Sequence, residues 1–457
     1  MKNESSKSIR LLLALACILL ACVIVIQCLF IAGVFPAGQG NRSEEVTPPT
    51  SFSGLDREGY KLEQVVVLSR HNIRSPLSGA GSALGTITPH EWFSWSSNPS
   101  ELSLRGGILE TEMGQFFRKW LEENGLFPEN YHPDENAVRI YSNSKQRTIA
   151  TSRYFTAGLL PTANVEIETH VEYDTMDPVF TPQLTFVSPE YVADATAQVF
   201  EIYGEKIKGL SDNYSLAEEV IDMKKSPAWN DGTAGEFRTD DTELVLEYGK
   251  EPAVKGSLKT ACSVSDALVL QYYEESDSEK AAFGHKITGE QWKQISEIKD
   301  VYGDVLFTSP LIASNVANPL LKEIRFELEE DGRRFTFLCG HDSNVGSVLA
   351  ALEAEDYELP GSIEKTPIGC KVVFCRWSDA DGSCYYSVDM VYQTTEQLRN
   401  IGLLDLEHQP AVVSIQFSGL KANSDGLYKE DDFLNRLSEC IERYDEIIEE
   451  YSLEEAA

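Results

Sequence analysis

One histidine stands between two arginines in Ser69-Arg70-His71-Asn72-Ile73-Arg74-Ser75-Pro76, directly after the apolar run Gln64 to Leu68. Guanidinium forks match phosphoryl oxygens in pairs. A neutral imidazole held between two of them can attack phosphorus in line. These residue types therefore suit transfer of a phosphoryl group to His71, with Arg70 and Arg74 holding its oxygens. A second group, Gly340-His341-Asp342-Ser343-Asn344, follows another apolar run, Phe335 to Cys339. Here Asp342 is placed to protonate a leaving oxygen and His341 to donate a hydrogen bond to the phosphoryl group. By itself Gly-His-Asp would pass for a helix cap; its weight comes from pairing with the first motif. A third, Ser144-Lys145-Gln146-Arg147-Thr148, brings Arg147 to an expected helix start, where the positive end of the helix favours an anion. His90, His132, His170, His285 and His408 have no such neighbours and read as structural or exposed.

These side chains need a scaffold that brings distant loops together. Short β-branched or apolar runs at Gln64 to Leu68, Val138 to Tyr141 and Phe335 to Cys339 read as buried strands. Each candidate motif lies at the carboxyl end of such a strand, where α/β sheets place their ligands. Helical spacing of apolar residues marks Ile108 to Trp120, Gln146 to Leu159 and Val345 to Leu352. Lys371 to Trp377 and Tyr385 to Tyr392 read as a hairpin around Asp379-Ala380-Asp381-Gly382. From about residue 186 to 300 strand-like runs give way to helical ones such as Tyr191 to Ile207 and Val264 to Tyr273. The expected fold class is α/β, a mixed-sheet domain formed by residues 60–185 and 301–457, with an α-helical insertion at 186–300. Phe433 to Tyr451 reads as an acidic amphipathic packing helix.

The chain has 457 residues, 42% of them hydrophobic, which is enough for a large core and excludes global disorder. Its formal net charge of −34 repels nucleic acid and anionic lipid, so a bound anion must be drawn by a local basic pocket. Lys2, Lys7 and Arg10 lie in a basic flank, residues 1–10, before an uncharged apolar run at 11–35. That run exceeds the roughly 20 residues needed to cross a bilayer. It reads as a signal anchor, or a signal peptide if cleaved, that leaves the bulk of the chain outside the cytoplasm. Residues 36–59, rich in Pro, Gly, Ser and Glu, read as a flexible spacer. Six cysteines lie beyond the apolar run, and the hairpin pair Cys375 and Cys384 is the best disulfide candidate. No CxxC or Cys/His spacing points to a metal, and the chemistry above requires no cofactor.

RHNIRSP with a distant GHDSN resembles the histidine acid phosphatase family, and within it the periplasmic glucose-1-phosphatase branch. The resemblance runs from Tyr60 to about Tyr428. It includes LSLRGGILE (102–110), YSNSKQRTIAT (141–151), DTMDPVF (174–180), LFTSP (306–310), TPIGCKVVF (366–374) and YQTTEQLRN (392–400). It implies a phosphoglycerate-mutase-like sheet with a helical insertion. In it His71 is the nucleophile, Arg70, Arg74, Arg147 and His341 hold the phosphate, and Asp342 donates the proton. Glu251 corresponds to an acidic residue near the pocket mouth in that branch, where a carboxylate would repel additional phosphates. Two departures stand out. Asn72 replaces the glycine that usually follows the nucleophile, and the stretch Trp229 to Gly235 lacks a cysteine pair that the branch carries there.

The expected activity is acid hydrolysis of small phosphomonoesters, such as glucose 1-phosphate, through a phosphohistidine. Because an ordinary Asp titrates near 3.9, Asp342 must have a raised pKa or the optimum must be acid. Thr88-Pro89-His90-Glu91-Trp92-Phe93-Ser94-Trp95 offers aromatic rings either to a sugar or to the core. The alternatives are an inositol polyphosphate phosphatase (phytase), a mutase-like phosphotransferase, which would lack the His-Asp pair, and a non-catalytic phosphate-sugar receptor, which would need neither His71 nor Asp342.

Overall fold

The computed structural model describes residues 54–77 and 83–453. The expected anchor at 11–35 and most of the spacer lie outside them. In chain order the sheet strands and longer helices are β1 (Lys61–Arg70), α1 (Leu104–Glu123), β2 (Val138–Ser142), α2 (Gln146–Leu159), α3 (Pro189–Gly209), α4 (Ser211–Val220), β3 (Glu243–Val245), β4 (Ala253–Lys255), α5 (Ser257–Glu274), α6 (Gly289–Phe307), α7 (Pro310–Glu329), β5 (Phe335–Gly340), α8 (Asp342–Ala351), β6 (Lys371–Ser378), β7 (Cys384–Tyr392), β8 (Ala411–Ser414), β9 (Tyr428–Lys429) and α9 (Glu430–Leu453).

A mixed seven-stranded sheet runs in the order β2-β5-β1-β6-β7-β8, with β9 also paired to β7. β2, β5 and β1 are parallel, and every later pairing is antiparallel. Residues alternate between the two faces of a strand. Val66 and Leu68 of β1 thus enter the core beneath α7, α8 and α9, with Leu321, Val348 and Phe433. Val65 and Val67 enter the core beneath α1 and α2, with Phe117 and Phe155. With helices on both faces, β1 is an unbroken buried run from Gln64 to Arg70.

Helices α3 to α6 form a further core around Tyr191, Leu268 and Trp292. Residues 186–300 contribute no strand to the main sheet; β3 and β4 make a separate two-stranded ribbon. The expected boundary at residue 300 falls inside α6, so the helical layer continues to Phe307 before α7 returns the chain to the sheet.

The disulfide expected between Cys375 and Cys384 is absent, and both thiols are free. Cys384 pairs across the hairpin with Ser378 and Cys375 with Ser387. An offset of three positions along the ladder places the two side chains on opposite faces of the sheet. Among the described residues no helix is long and apolar enough to cross a membrane.

Candidate active site

The three parallel strands carry their candidate residues to one edge of the sheet. Arg70 lies opposite Gly340 in the β1–β5 register, and Ser142 lies opposite Cys339 in the β2–β5 register. Backbone bonds extend both ladders past the strand ends, from His71 N–H to the Gly340 carbonyl (3.0 Å) and from Asn143 N–H to the Cys339 carbonyl (2.9 Å). His71 and His341 are thereby held edge to face with ring centroids 5.5 Å apart. The Arg147 guanidinium reaches within 3.4 Å of His341 Nδ1 from the first turn of α2. His71, Arg74, Arg147, His341 and Asp342 line one cavity of about 740 Å³, and Glu251 stands on its wall.

The His71 ring has a defined direction. Nδ1 lies 2.9 Å from the Asn72 carbonyl, which can only accept, so Nδ1 carries the proton and Nε2 keeps its lone pair. Burial lowers the His71 pKa well below the usual imidazole value, and Arg147, Arg74 and Arg70 lower it further. The ring therefore stays neutral into the acid range.

Asn72, the departure from the family pattern, has a partner the sequence did not reveal. Its amide donates to Glu110 (2.8 Å), and its oxygen accepts from the Ile73 N–H (2.8 Å). Glu110 is also 2.7 Å from Lys371, and both side chains are fully buried. A Cβ on Gly369 would lie 2.5 Å from the Asn72 amide nitrogen, and one on Gly106 would lie 2.3 Å from the Ile73 carbonyl. Gly369, just before β6, and Gly106, in the first turn of α1, let both elements close on the nucleophile loop.

The cations fall into two groups. Arg74 is paired with Asp266 of α5 (3.1 and 3.3 Å). Arg147 has no ion-pair partner among the described residues; burial, then the neighbouring Arg74, push its pKa down to about 10. The buried Nε atoms of Arg70, Arg74 and Arg147 all lack hydrogen-bond partners. For Arg147, which also lacks an ion-pair partner among the described residues, burial disfavours the charge and favours an arriving anion. Arg70 instead engages Glu364 (2.8 Å), the Thr366 carbonyl and Asp342 (3.4 Å).

Sequence reasoning missed two members of that second group. Lys299 of α6 lies 3.1 Å from both Asp342 and Glu364. Tyr273 and the Ile368 N–H also donate to Glu364. Burial raises the Asp342 pKa, but Lys299 and Arg70 outweigh it and hold the carboxyl well below the ordinary value. A raised Asp342 was one of two expectations from sequence, and it fails because two cations flank the carboxylate. The signal for Lys299 was present: it shares a helical stripe with Trp292, Ile295, Tyr302 and Leu306, where an apolar residue is the norm.

The aromatic stretch Trp92 to Trp95 does not face the cavity. Trp92 and Trp95 pack against the helical core, and the Trp92 indole donates to the Leu84 carbonyl. The rings on the cavity wall are Tyr203, Tyr302, Phe307 and Tyr357. Burial raises the pKa of Glu251; Arg147 opposes this and Asp342 reinforces it.

A neutral histidine with a free lone pair, facing unsatisfied guanidinium donors at the ends of parallel strands, defines an enzyme that handles phosphoryl groups. Residues 61–393 match the family model described as histidine phosphatase superfamily (branch 2), and the chain belongs to that family. It is a phosphoric monoester hydrolase of the histidine acid phosphatase kind. The glucose-1-phosphatase of Salmonella typhimurium strain LT2 is 37% identical over 382 residues, which cover 83% of this chain and 92% of the relative. Phytase AppA of Escherichia coli K12 is 27% identical over 403 residues, covering 84% and 92%. Among solved structures, the apo phytase of Hafnia alvei superimposes with a TM-score of 0.77 at 28% identity, covering 85% of this chain and 99% of that one.

Proposed function

We propose that this enzyme hydrolyses small sugar phosphates, glucose 1-phosphate first among them, with His71 as nucleophile and Asp342 as proton donor. The observation that carries the reading is the His71 ring: Nδ1–H is tied to the Asn72 carbonyl, and Nε2 is left free beside Arg74, Arg147 and His341.

In the first step Nε2 of His71 attacks phosphorus while the bond to the leaving oxygen breaks. Arg70, Arg74, Arg147 and His341 balance the charge that spreads over the phosphoryl oxygens. Asp342 gives its proton to the leaving oxygen, and the alcohol departs. In the second step a water attacks the phosphohistidine, its proton passes to Asp342, the N–P bond breaks, and inorganic phosphate leaves. A resting Asp342 carboxylate must acquire its proton on binding. A phosphomonoester below its second pKa of about 6 brings one with it. The phosphate charge also offsets the Lys299 and Arg70 fields that hold the carboxyl down. An acid optimum follows from the substrate's ionisation rather than from a raised aspartate.

The walls support a small polyhydroxyl leaving group over a polyanion. Tyr302, Phe307 and Tyr357 supply rings to the wall, while Glu251, Glu355 and Asp356 add carboxyl groups to it. The glucose-1-phosphatase relative favours the same choice. A phytase activity is the competing reading, carried by the likeness to the Hafnia alvei enzyme. Initial rates on glucose 1-phosphate and phytate, at acid and neutral pH with His71→Ala as control, test the proposal; equal or greater turnover of phytate would reverse the substrate assignment. The N-terminal pattern supports export with the catalytic domain outside the cytoplasm, either held by residues 11–35 or released from them.

A further inference from the structure

Asn143 follows β2 and is fully buried. Its amide can point only one way. The Asp177 backbone N–H donates to Asn143 Oδ1 (2.9 Å), so the oxygen is fixed on that side. The Asp177 carboxylate is itself held by the Tyr141 hydroxyl and the Val179 N–H (both 2.9 Å), which makes this turn a rigid reference. The Asn143 NH2 group must then face His341, and its nitrogen lies 2.7 Å from His341 Nε2. An amide NH2 only donates, so Nε2 must be the acceptor. A neutral imidazole carries one proton, which is left to Nδ1.

We infer that Asn143 is a positioning residue that locks His341 in the Nδ1–H tautomer and keeps it neutral, so that Nδ1–H is aimed at a phosphoryl oxygen. The inference rests on the proposed role of His341 as a phosphate ligand and adds how that role is set. The Arg147 guanidinium also points at Nδ1, at 3.4 Å, and competes for the same tautomer; the 2.7 Å contact at Nε2 is the closer and decides it, and with the proton on Nδ1 both groups there are donors. Two donors converging without an acceptor between them mark the place of an anionic oxygen. Protonation at Nε2 would set an N–H against the Asn143 NH2, so the buried amide excludes the imidazolium. The charged and titratable groups facing His341 are Arg147, Asp342, Arg74, Arg70 and His71; burial is the largest influence, and of these groups only Asp342 favours the imidazolium.

The test is nitrogen NMR of the full-length enzyme with 15N-labelled histidine rings. The His341 signals are assigned by their loss in His341→Gln. The ligand-free wild type is expected to show a protonated Nδ1 and a bare Nε2 throughout the mildly acid range. Asn143→Asp replaces the donor with an acceptor, so in the neutral ring the proton moves from Nδ1 to Nε2. Measured at a pH where the variant's ring is neutral, affinity for inorganic phosphate then falls about ten- to a hundredfold, the scale of one charge-assisted hydrogen bond, while the signals of His90, His170 and His408 stay in place as a check on folding. A protonated Nε2 in the wild type overturns the inference, as does Asn143→Asp with tautomer and phosphate affinity unchanged. A wild-type Nδ1–H signal that ignores saturating inorganic phosphate overturns instead the reading of His341 as a phosphate ligand.

Discussion

Lys299→Gln is the substitution that most sharply separates the proton-donor account from a merely structural one. The ammonium lies 3.1 Å from Asp342 and 3.1 Å from Glu364, while Arg70 lies 3.4 Å and 2.8 Å from the same two carboxylates. At an effective dielectric of roughly 20, unit charges about 3 Å apart interact by about 5 kcal/mol before compensation. Removing the ammonium also leaves Arg70 as the one cation paired with Glu364 among the described residues, so its repulsion of the Asp342 carboxylate grows. If Arg70 recovers three quarters of the loss, more than 1 kcal/mol still shifts toward protonated Asp342, or about one pH unit. The assay is kcat against pH at saturating substrate, which reports groups in the enzyme–substrate complex. With glucose 1-phosphate, whose alkoxide must be protonated, the alkaline limb should move up by about one unit. With p-nitrophenyl phosphate, whose leaving group needs little help, the profile should hardly move. KM should rise for both as a cation leaves the pocket. An unmoved limb for glucose 1-phosphate, or equal shifts for the two substrates, would refute the coupling of Lys299 to the proton on Asp342.

Other changes have defined outcomes. Glu251→Ala removes a carboxylate from the cavity wall and should raise kcat/KM for inositol polyphosphates more than for glucose 1-phosphate; no change in the ratio of the two removes its role in selection. Glu110→Ala leaves the buried Lys371 ammonium uncompensated and should cost about 3–5 kcal/mol in denaturant unfolding, with Asn72 losing its partner. The pH dependence of stability has a definite sign. His71 and His341 have native pKa values below those of the unfolded chain, so the unfolded state binds more protons below about pH 6.5 and stability falls as pH falls through that range. Glu364, held at about 2, adds a further loss at lower pH, from about 4 downward. His71→Gln should therefore lose less Tm than wild type between about pH 7 and pH 5; an equal or greater loss contradicts the neutral native ring.

The sheet and the motif residues were legible because they obey local rules. The runs at Gln64, Val138 and Phe335 are β-branched or aromatic and buried on both faces, and each motif follows a strand end. Helix α2 was expected at its observed bounds because apolar spacing and its flanks agree. Helix α7 was obscured by Pro319, which stands inside it. Strands β8 and β9 are short and exist by pairing with β7, which no local pattern announces. Lys299, Glu364 and Asn143 escaped notice for a related reason: their significance lies in tertiary contacts with His341, Asp342 and Arg70. Cys375 and Cys384 misled because sequence proximity across a turn says nothing of register.

The central claim is that phosphorus is bonded to His71 during turnover. Rapid acid-free quenching with a radiolabelled phosphomonoester, followed by digestion, should place alkali-stable label on the peptide carrying His71 and on no other. His71→Ala should neither trap label nor turn over substrate. Label on a different residue, or retained turnover in His71→Ala, would contradict the account.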